Sequence, residues 1–221
     1  MSGRPFRDRT DAGWVLAAGL SSYAGRGDVV VLGLPRGGVP VAAQVASALD
    51  APLDVFVVRK LGVPGHPELA MGAIAAGGIR VLNPSVVESL HISQESIDEV
   101  AAAEEVELAR RMQAYRGDRP PLSLAGRVVI VVDDGLATGA TMRAAVAAIR
   151  ASRPGRIVVA VPVGARQTCE ELQRQAEEVV CARVPLLFQA VGQWYQDFSP
   201  TSDEEIRSLL GGSGADPVSP A

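Results

Sequence analysis

Val128-Val129-Ile130-Val131-Val132 is an unbroken β-branched run that ends on two adjacent acids, Asp133 and Asp134. A strand with no polar face is covered on both sides, which selects a sheet sandwiched between helices. Val29–Leu34, Leu53–Val58, Ile157–Val163 and Glu178–Cys181 have the same character. Helical spacing falls between them, over Val39–Leu49, Ala140–Ala151 and Gln167–Ala176, and a long helix runs from a Ser93 cap to about Tyr115. A first helix carries Val15, Leu16 and Leu20 behind a Thr10 or Asp11 cap. Strand-then-helix alternation predicts an α/β fold: a doubly wound, mostly parallel β-sheet flanked by helices and joined by right-handed crossovers.

Two segments interrupt the pattern. Leu61–Gly78 is rich in Gly, Pro and Ala and long for a connection; it predicts a loop or a short ribbon, with Ile79–Leu82 as the returning strand. From Pro185 onward the chain turns aromatic, and Thr201 and Glu204 then stand at capping-box spacing before a short helix. The expected organisation is one domain over 1–210, with a flexible-loop insertion over 61–82 and a candidate hood over 183–200. Residues 211–221 are expected to form a disordered tail.

The chain of 221 residues suffices for a substantial core. A net charge of −4 argues against non-specific nucleic-acid binding. Cys169 and Cys181 have no zinc or redox spacing and are expected as free core thiols. No apolar run reaches membrane-spanning length, and the first twenty residues lack signal-peptide character, so a cytoplasmic location is expected.

The chemistry concentrates after the acid pair. Gly135-Leu136-Ala137-Thr138-Gly139-Ala140-Thr141 is a small-residue turn that opens a helix, and such a turn offers backbone N–H groups to an anion. Acids alone would repel a phosphate; joined to a phosphate-type loop they suit a ligand with hydroxyl and phosphate parts, such as a sugar phosphate. The plainer alternative is a junction whose Asp and Thr merely cap the helix.

The segment Val129–Thr141, four apolar residues followed by Asp-Asp-Gly-x-x-Thr-Gly-x-Thr, closely resembles the phosphoribosyl pyrophosphate (PRPP) motif of the type I phosphoribosyltransferases. Leu34-Pro35-Arg36-Gly37-Gly38 resembles that family's pyrophosphate loop. Arg59-Lys60, followed by Gly65-His66 and Gly72, resembles the flexible loop of its orotate-type members, although Pro64 and Pro67 stiffen it and no second lysine follows Lys60. The likeness covers residues 10–200 in outline and is greatest to the uncharacterised phosphoribosyltransferase subgroup.

The resemblance implies a Mg²⁺-dependent transferase that moves 5-phosphoribosyl from PRPP to a nitrogen acceptor, a nucleobase or related heterocycle, and releases pyrophosphate. Asp133 and Asp134 would take the ribose hydroxyls, directly or through a metal-bound water. Ala137, Thr138, Gly139, Ala140 and Thr141 would cradle the 5′-phosphate. Arg36, Gly37, Gly38, Arg59 and Lys60 would serve pyrophosphate, with Lys60 the mobile cation over the leaving group. His66 would donate as the loop closes, while Glu68 offers a metal or base role.

For the acceptor, Trp194, Tyr195 and Phe198 offer planar faces and Asp197 a hydrogen-bond acceptor. The same aromatics equally suit an anchor for the last helix or a homodimer interface. A non-catalytic PRPP- or nucleotide-sensing regulator is the alternative of a different class, and a synthase subunit that works only with a partner is a third. Neither a nucleic acid nor a membrane is expected as a partner.

Overall fold

A computed structural model describes residues 4–212. In chain order the elements are α1 (Arg9–Ala18), β1 (Val29–Gly33), α2 (Gly38–Leu49), β2 (Leu53–Val55), β3 (Val58–Val63), β4 (His66–Ala75) and β5 (Ile79–Leu82). There follow α3 (Pro84–Ser89), α4 (Gln94–Arg116), β6 (Val128–Val132), α5 (Ala140–Ala151), β7 (Arg156–Val163), α6 (Arg166–Leu172), β8 (Glu178–Arg183) and α7 (Asp203–Gly212).

Five strands form a parallel sheet in the order β2-β1-β6-β7-β8. All five residues of β1 and of β6 are buried, which is why neither shows a polar face in the sequence. Alternate side chains feed two cores. Val29, Val31, Ile130 and Val132 join α1, α2 and α7 on one face; Val30, Leu32, Val129 and Val131 join α5 and α6 on the other. The chain leaves β1 toward β2 on one side, and β6 lies on the other. Strand order therefore reverses between β1 and β6, and the crevice at such a switch point is where open α/β sheets bind ligands.

The ribbon expected over 61–82 is larger than the sequence suggests. β3, β4 and β5 form a separate antiparallel three-stranded sheet that starts at Val58. The apolar run expected as one strand over 53–58 breaks at Phe56-Val57: Leu53–Val55 pair with β1, and only the last residue, Val58, opens β3 opposite Ala75 of β4. The hairpin between β3 and β4 turns through Pro64-Gly65, where Gly65 has φ +78°. This sheet packs between α4 and α5.

Asp54 anchors α4 to the parallel sheet. Its carboxylate accepts from Arg116 Nε at 3.1 Å and Nη2 at 2.7 Å, and from the backbone N–H groups of Val55 and Leu122 at 2.8 and 3.2 Å.

Local signals shifted by a residue or two. Asp8, rather than Thr10 or Asp11, caps α1 by accepting from Asp11 N–H at 2.7 Å, and Ser202, rather than Thr201, caps α7 through Glu205 N–H at 3.1 Å. Ser93 caps α4 as expected, and α6 ends at Leu172, short of Ala176. Gly211 and Gly212 belong to α7, and the rest of the expected tail lies outside the described residues.

Cys169 and Cys181 are joined as a disulfide, against the expectation of free thiols. α6 and β8 bring them together beside Gly164, whose missing side chain leaves the room: a Cβ there would lie 2.6 Å from Cys169 Sγ. No helix among the described residues is long and apolar enough to cross a membrane.

Candidate functional site

Two loops meet at the switch point because β1 and β6 run side by side in register, Gly33 against Val132. The loop after β1 carries Pro35-Arg36-Gly37-Gly38, with a cis peptide between Pro35 and Arg36. The loop after β6 carries the acid pair. Contact between them is so close that both glycines are required by space. A Cβ on Gly38 would sit 2.6 Å from the Val132 carbonyl oxygen, and one on Gly37 would sit 1.9 Å from Asp134 Oδ2.

The acids are partly buried and each has one oxygen engaged. Asp133 Oδ1 accepts from Asp134 N–H at 2.9 Å. Asp134 Oδ2 accepts from Arg9 Nε at 3.0 Å and Nη2 at 2.9 Å. Burial raises the pKa of Asp133, the adjacent carboxylate of Asp134 raises it further, and Arg9 pulls it down. Burial raises Asp134 as well, against the charge and hydrogen bonds of Arg9. Tyr195 Oη donates to the Asp134 carbonyl at 2.6 Å and fixes the backbone of the pair.

The following turn is pinned at both ends. Leu136 is buried, donates to the Val163 carbonyl at 2.9 Å and accepts from Ala165 N–H at 2.9 Å. Thr168 Oγ1 donates to the Ala137 carbonyl at 2.7 Å, holding the turn from behind. Gly139 has φ +70°, a backbone state that strongly favours glycine, and leads directly into α5. Ala137, Thr138 and Thr141 stay exposed. The first N–H groups of α5 have no intrahelical acceptor, so the turn and the helix end together offer donors to an anion.

Strand alternation separates Arg59 from Lys60, which the sequence placed together on pyrophosphate. Arg59 turns to α4, where its Nε donates to Glu104 Oε2 at 2.6 Å. Lys60 aligns with Ala73 and Val81 across the small sheet and lines a cleft of about 410 Å³ that also includes Ala140 and Arg143 of α5. Lys60 is thus brought beside the phosphate-type turn, and Arg59 is not. Asp133 and Asp134 are not part of that cleft's lining. Arg36 is half-exposed and pairs with Asp203 of α7 at 3.6 Å. His66 and Glu68 lie exposed near the tip of the hairpin and make no side-chain hydrogen bond or ion pair among the described residues.

Most of the expected acceptor group is committed elsewhere. Tyr195 is buried against Phe6, with ring centroids 5.5 Å apart, and its hydroxyl is spent on Asp134. Phe198 lies under the Arg9 guanidinium at 4.1 Å, and Asp197 accepts from both N–H and Oγ of Ser199. Trp194 keeps a buried indole N–H without an acceptor among the described residues. Val191, in the same segment, covers Gly135, where a Cβ would lie 2.6 Å from its Cγ1. The neighbouring Leu186 and Leu187 are almost fully exposed.

Arg9, Thr168 and Val191 escaped the sequence because their partners are far along the chain. Arg9 did leave a trace. It is the first residue of α1, at the positive end of a helix dipole, where a cation is disfavoured unless something else holds it.

Described side chains contain no cluster of three His, Cys, Asp or Glu residues fit to hold a metal by themselves. Mg²⁺ does not need one, since it keeps several waters and shares one or two carboxylates with substrate phosphates. The free oxygens of Asp133 and Asp134 fit that pattern.

The sequence model of the phosphoribosyl transferase domain family matches residues 11–193. Two Mycobacterium tuberculosis proteins, of strains CDC 1551 / Oshkosh and ATCC 25618 / H37Rv, are provisionally named phosphoribosyl transferases. Each is 50% identical to this chain over 205 residues, 93% of this chain and 46% of its own length. The chain therefore spans about half the length of these curated relatives. The crystal structure of TT1426 from Thermus thermophilus is 44% identical and superposes with a TM-score of 0.87, covering 96% of this chain and all of that one.

Proposed function

Given that the chain belongs to the phosphoribosyl transferase domain family, we propose that it transfers the 5-phosphoribosyl group of PRPP to a nitrogen acceptor, a nucleobase or related heterocycle, with Mg²⁺ and release of pyrophosphate. The observation that carries this reading is the direct packing of the Gly37-Gly38 loop on the acid pair, with the phosphate-type turn next in the chain. Three parts of one ligand, pyrophosphate, ribose diol and 5′-phosphate, map onto three adjoining elements.

In this reading the free oxygens of Asp133 and Asp134 accept from the ribose hydroxyls. The turn from Ala137 to Thr141 donates to the 5′-phosphate, and Gly37 and Gly38 bring backbone close to pyrophosphate. Reaction is substitution at C1 with inversion: the acceptor nitrogen forms its bond as the C1–O bond to pyrophosphate breaks. The nitrogen's proton leaves to solvent. Negative charge grows on the departing oxygen, so fixed donors and a nearby cation lower the barrier. Lys60, which lines the cleft with Ala140 and Arg143, is the cation assigned to that role in this reading, and Arg36 flanks the glycine loop. Mg²⁺, when bound, supplies charge neutralisation on the leaving group. His66 and Glu68 reach the ligand only if the hairpin closes over it.

Isothermal titration with PRPP and Mg²⁺ tests the assignment. Saturable binding is expected, and Asp133→Asn combined with Asp134→Asn should abolish it in a protein that still melts cooperatively. Undiminished binding by the folded double variant would overturn the site. PRPP binding with no product across a broad panel of nucleobases and amines would favour the sensor reading.

A further inference from the structure

We propose that Arg9 is the positioning residue of the acid pair: it locks Asp134 by one oxygen so that the other faces the ribose. This inference rests on the phosphoribosyl reading of the site. The observations are local and agree. Arg9 Nε and Nη2 both donate to Oδ2 of Asp134, at 3.0 and 2.9 Å, while Nη1 donates to the Ser199 carbonyl at 2.7 Å. Its side chain is 12% exposed, and its planar face lies 4.1 Å from the centre of the Phe198 ring. Gly37 approaches the same Oδ2 from another direction. Oδ1 of Asp134 accepts no hydrogen bond among the described residues.

Those contacts divide the carboxylate into a held oxygen and a free one. Arg9 also solves an electrostatic problem. Two adjacent carboxylates repel each other, and both repel a ligand carrying several phosphate charges. A guanidinium behind Asp134 offsets part of that repulsion while leaving the free oxygen open. Its position explains why a cation stands in the unfavourable first turn of α1. Arginine suits the task better than lysine, because a flat fork can place two N–H groups on one oxygen and a third on a carbonyl.

A purely structural role would weaken every ligand alike; a positioning role falls on the ribose. Affinities of wild type, Arg9→Ala and Arg9→Lys are therefore measured by isothermal titration with two probes, PRPP with Mg²⁺ and inorganic pyrophosphate with Mg²⁺. Arg9→Ala should bind PRPP about 10- to 100-fold more weakly, the value of a lost charge-assisted contact, with pyrophosphate affinity within about twofold of wild type. Arg9→Lys should recover part of the loss, and it carries the test if Arg9→Ala does not fold. Equal weakening of both probes would make Arg9 structural only, and unchanged or tighter PRPP binding would make it irrelevant or a competitor; each overturns the proposal. Failure of wild type to bind PRPP would instead overturn the phosphoribosyl reading, and Arg9's role with it.

Discussion

Gly37→Ala is a small change that the geometry makes large. Gly37 has φ −63° and ψ −29°, an ordinary helical conformation open to any residue. Backbone considerations alone predict a gain of about 0.4–1 kcal/mol, because alanine restricts the unfolded chain. Space predicts the opposite. The new Cβ would lie 1.9 Å from Asp134 Oδ2, 2.7 Å from its Cγ and 3.0 Å from Arg9 Nε, where contacts under 3.0 Å essentially never occur. The carboxylate must retreat by about 1 Å or more, and hydrogen bonds of 2.9 and 3.0 Å to Arg9 cannot both survive that move.

Losing one charge-assisted bond costs about 1.5–3 kcal/mol, so the net destabilisation is about 0.5–2.6 kcal/mol after the backbone gain. For a chain of this size that lowers Tm by about 1–10 °C. PRPP affinity should fall about 10- to 100-fold. Combining Gly37→Ala with Arg9→Ala should add little, since both act on one oxygen. Calorimetry and isothermal titration provide the readouts, with Gly27→Ala as control, because a Cβ at Gly27 meets nothing within 4 Å. A Gly37→Ala protein that melts higher and binds PRPP like wild type would refute the reasoning.

Three further outcomes are expected. Asp54→Ala leaves the buried Arg116 without its carboxylate, though still bonded to the Val55 carbonyl, and strips an acceptor from two backbone N–H groups, so urea unfolding should show a loss of about 3–5 kcal/mol; a loss below about 1 kcal/mol would deny the anchor. Lys60→Ala should lower turnover more than PRPP affinity, whereas Arg59→Ala should leave pyrophosphate affinity intact and speed hydrogen exchange in β3 and β4 by freeing them from Glu104; the reverse pattern would contradict the assignment of the two faces. Finally, because its folded-state pKa is raised, Asp133 binds its proton more tightly folded than unfolded. Its contribution is present below the ordinary carboxylate value and is lost as pH rises through the raised one. Thermal melts of ligand-free Asp133→Asn should match wild type near about pH 4 and exceed it near about pH 8, and a constant difference across that range would exclude this effect.

The parallel sheet was legible because burial on two faces leaves an unmistakable record, as in Val128–Val132. The acid pair and the glycine turn were legible because chemistry and chain order coincide there. What escaped depends on distance along the chain or on a one-residue alternation. Arg59 and Lys60 look alike as neighbours, yet a strand sends them to opposite faces, and the sequence did not show that residues 58–63 form a strand. Tyr195 suited an acceptor platform and a structural anchor equally in the sequence; the packing of Phe6 and the bond to the Asp134 carbonyl give it a structural role. Cys169 and Cys181 lacked a recognisable spacing, and only the gap at Gly164 explains their meeting.

Arg9 bonds to a residue 125 positions later and to another 190 positions later, while Phe6 N–H donates to the Trp194 carbonyl at 2.7 Å. This has a consequence for synthesis on the ribosome. Chains emerge at about 5–20 residues per second, with N-terminal segments free to fold first. The sheet through β6 can assemble with α1 already packed on α2, but the clasp around Asp134 waits for residues 194–199. A nascent chain arrested after β8 would have both loops and the acid pair, with Asp134 lacking the support of Tyr195 and Arg9 unable to reach Ser199. Ligand competence should therefore arise late and abruptly, set by the emergence of that closing segment rather than by formation of the strands that carry the acids.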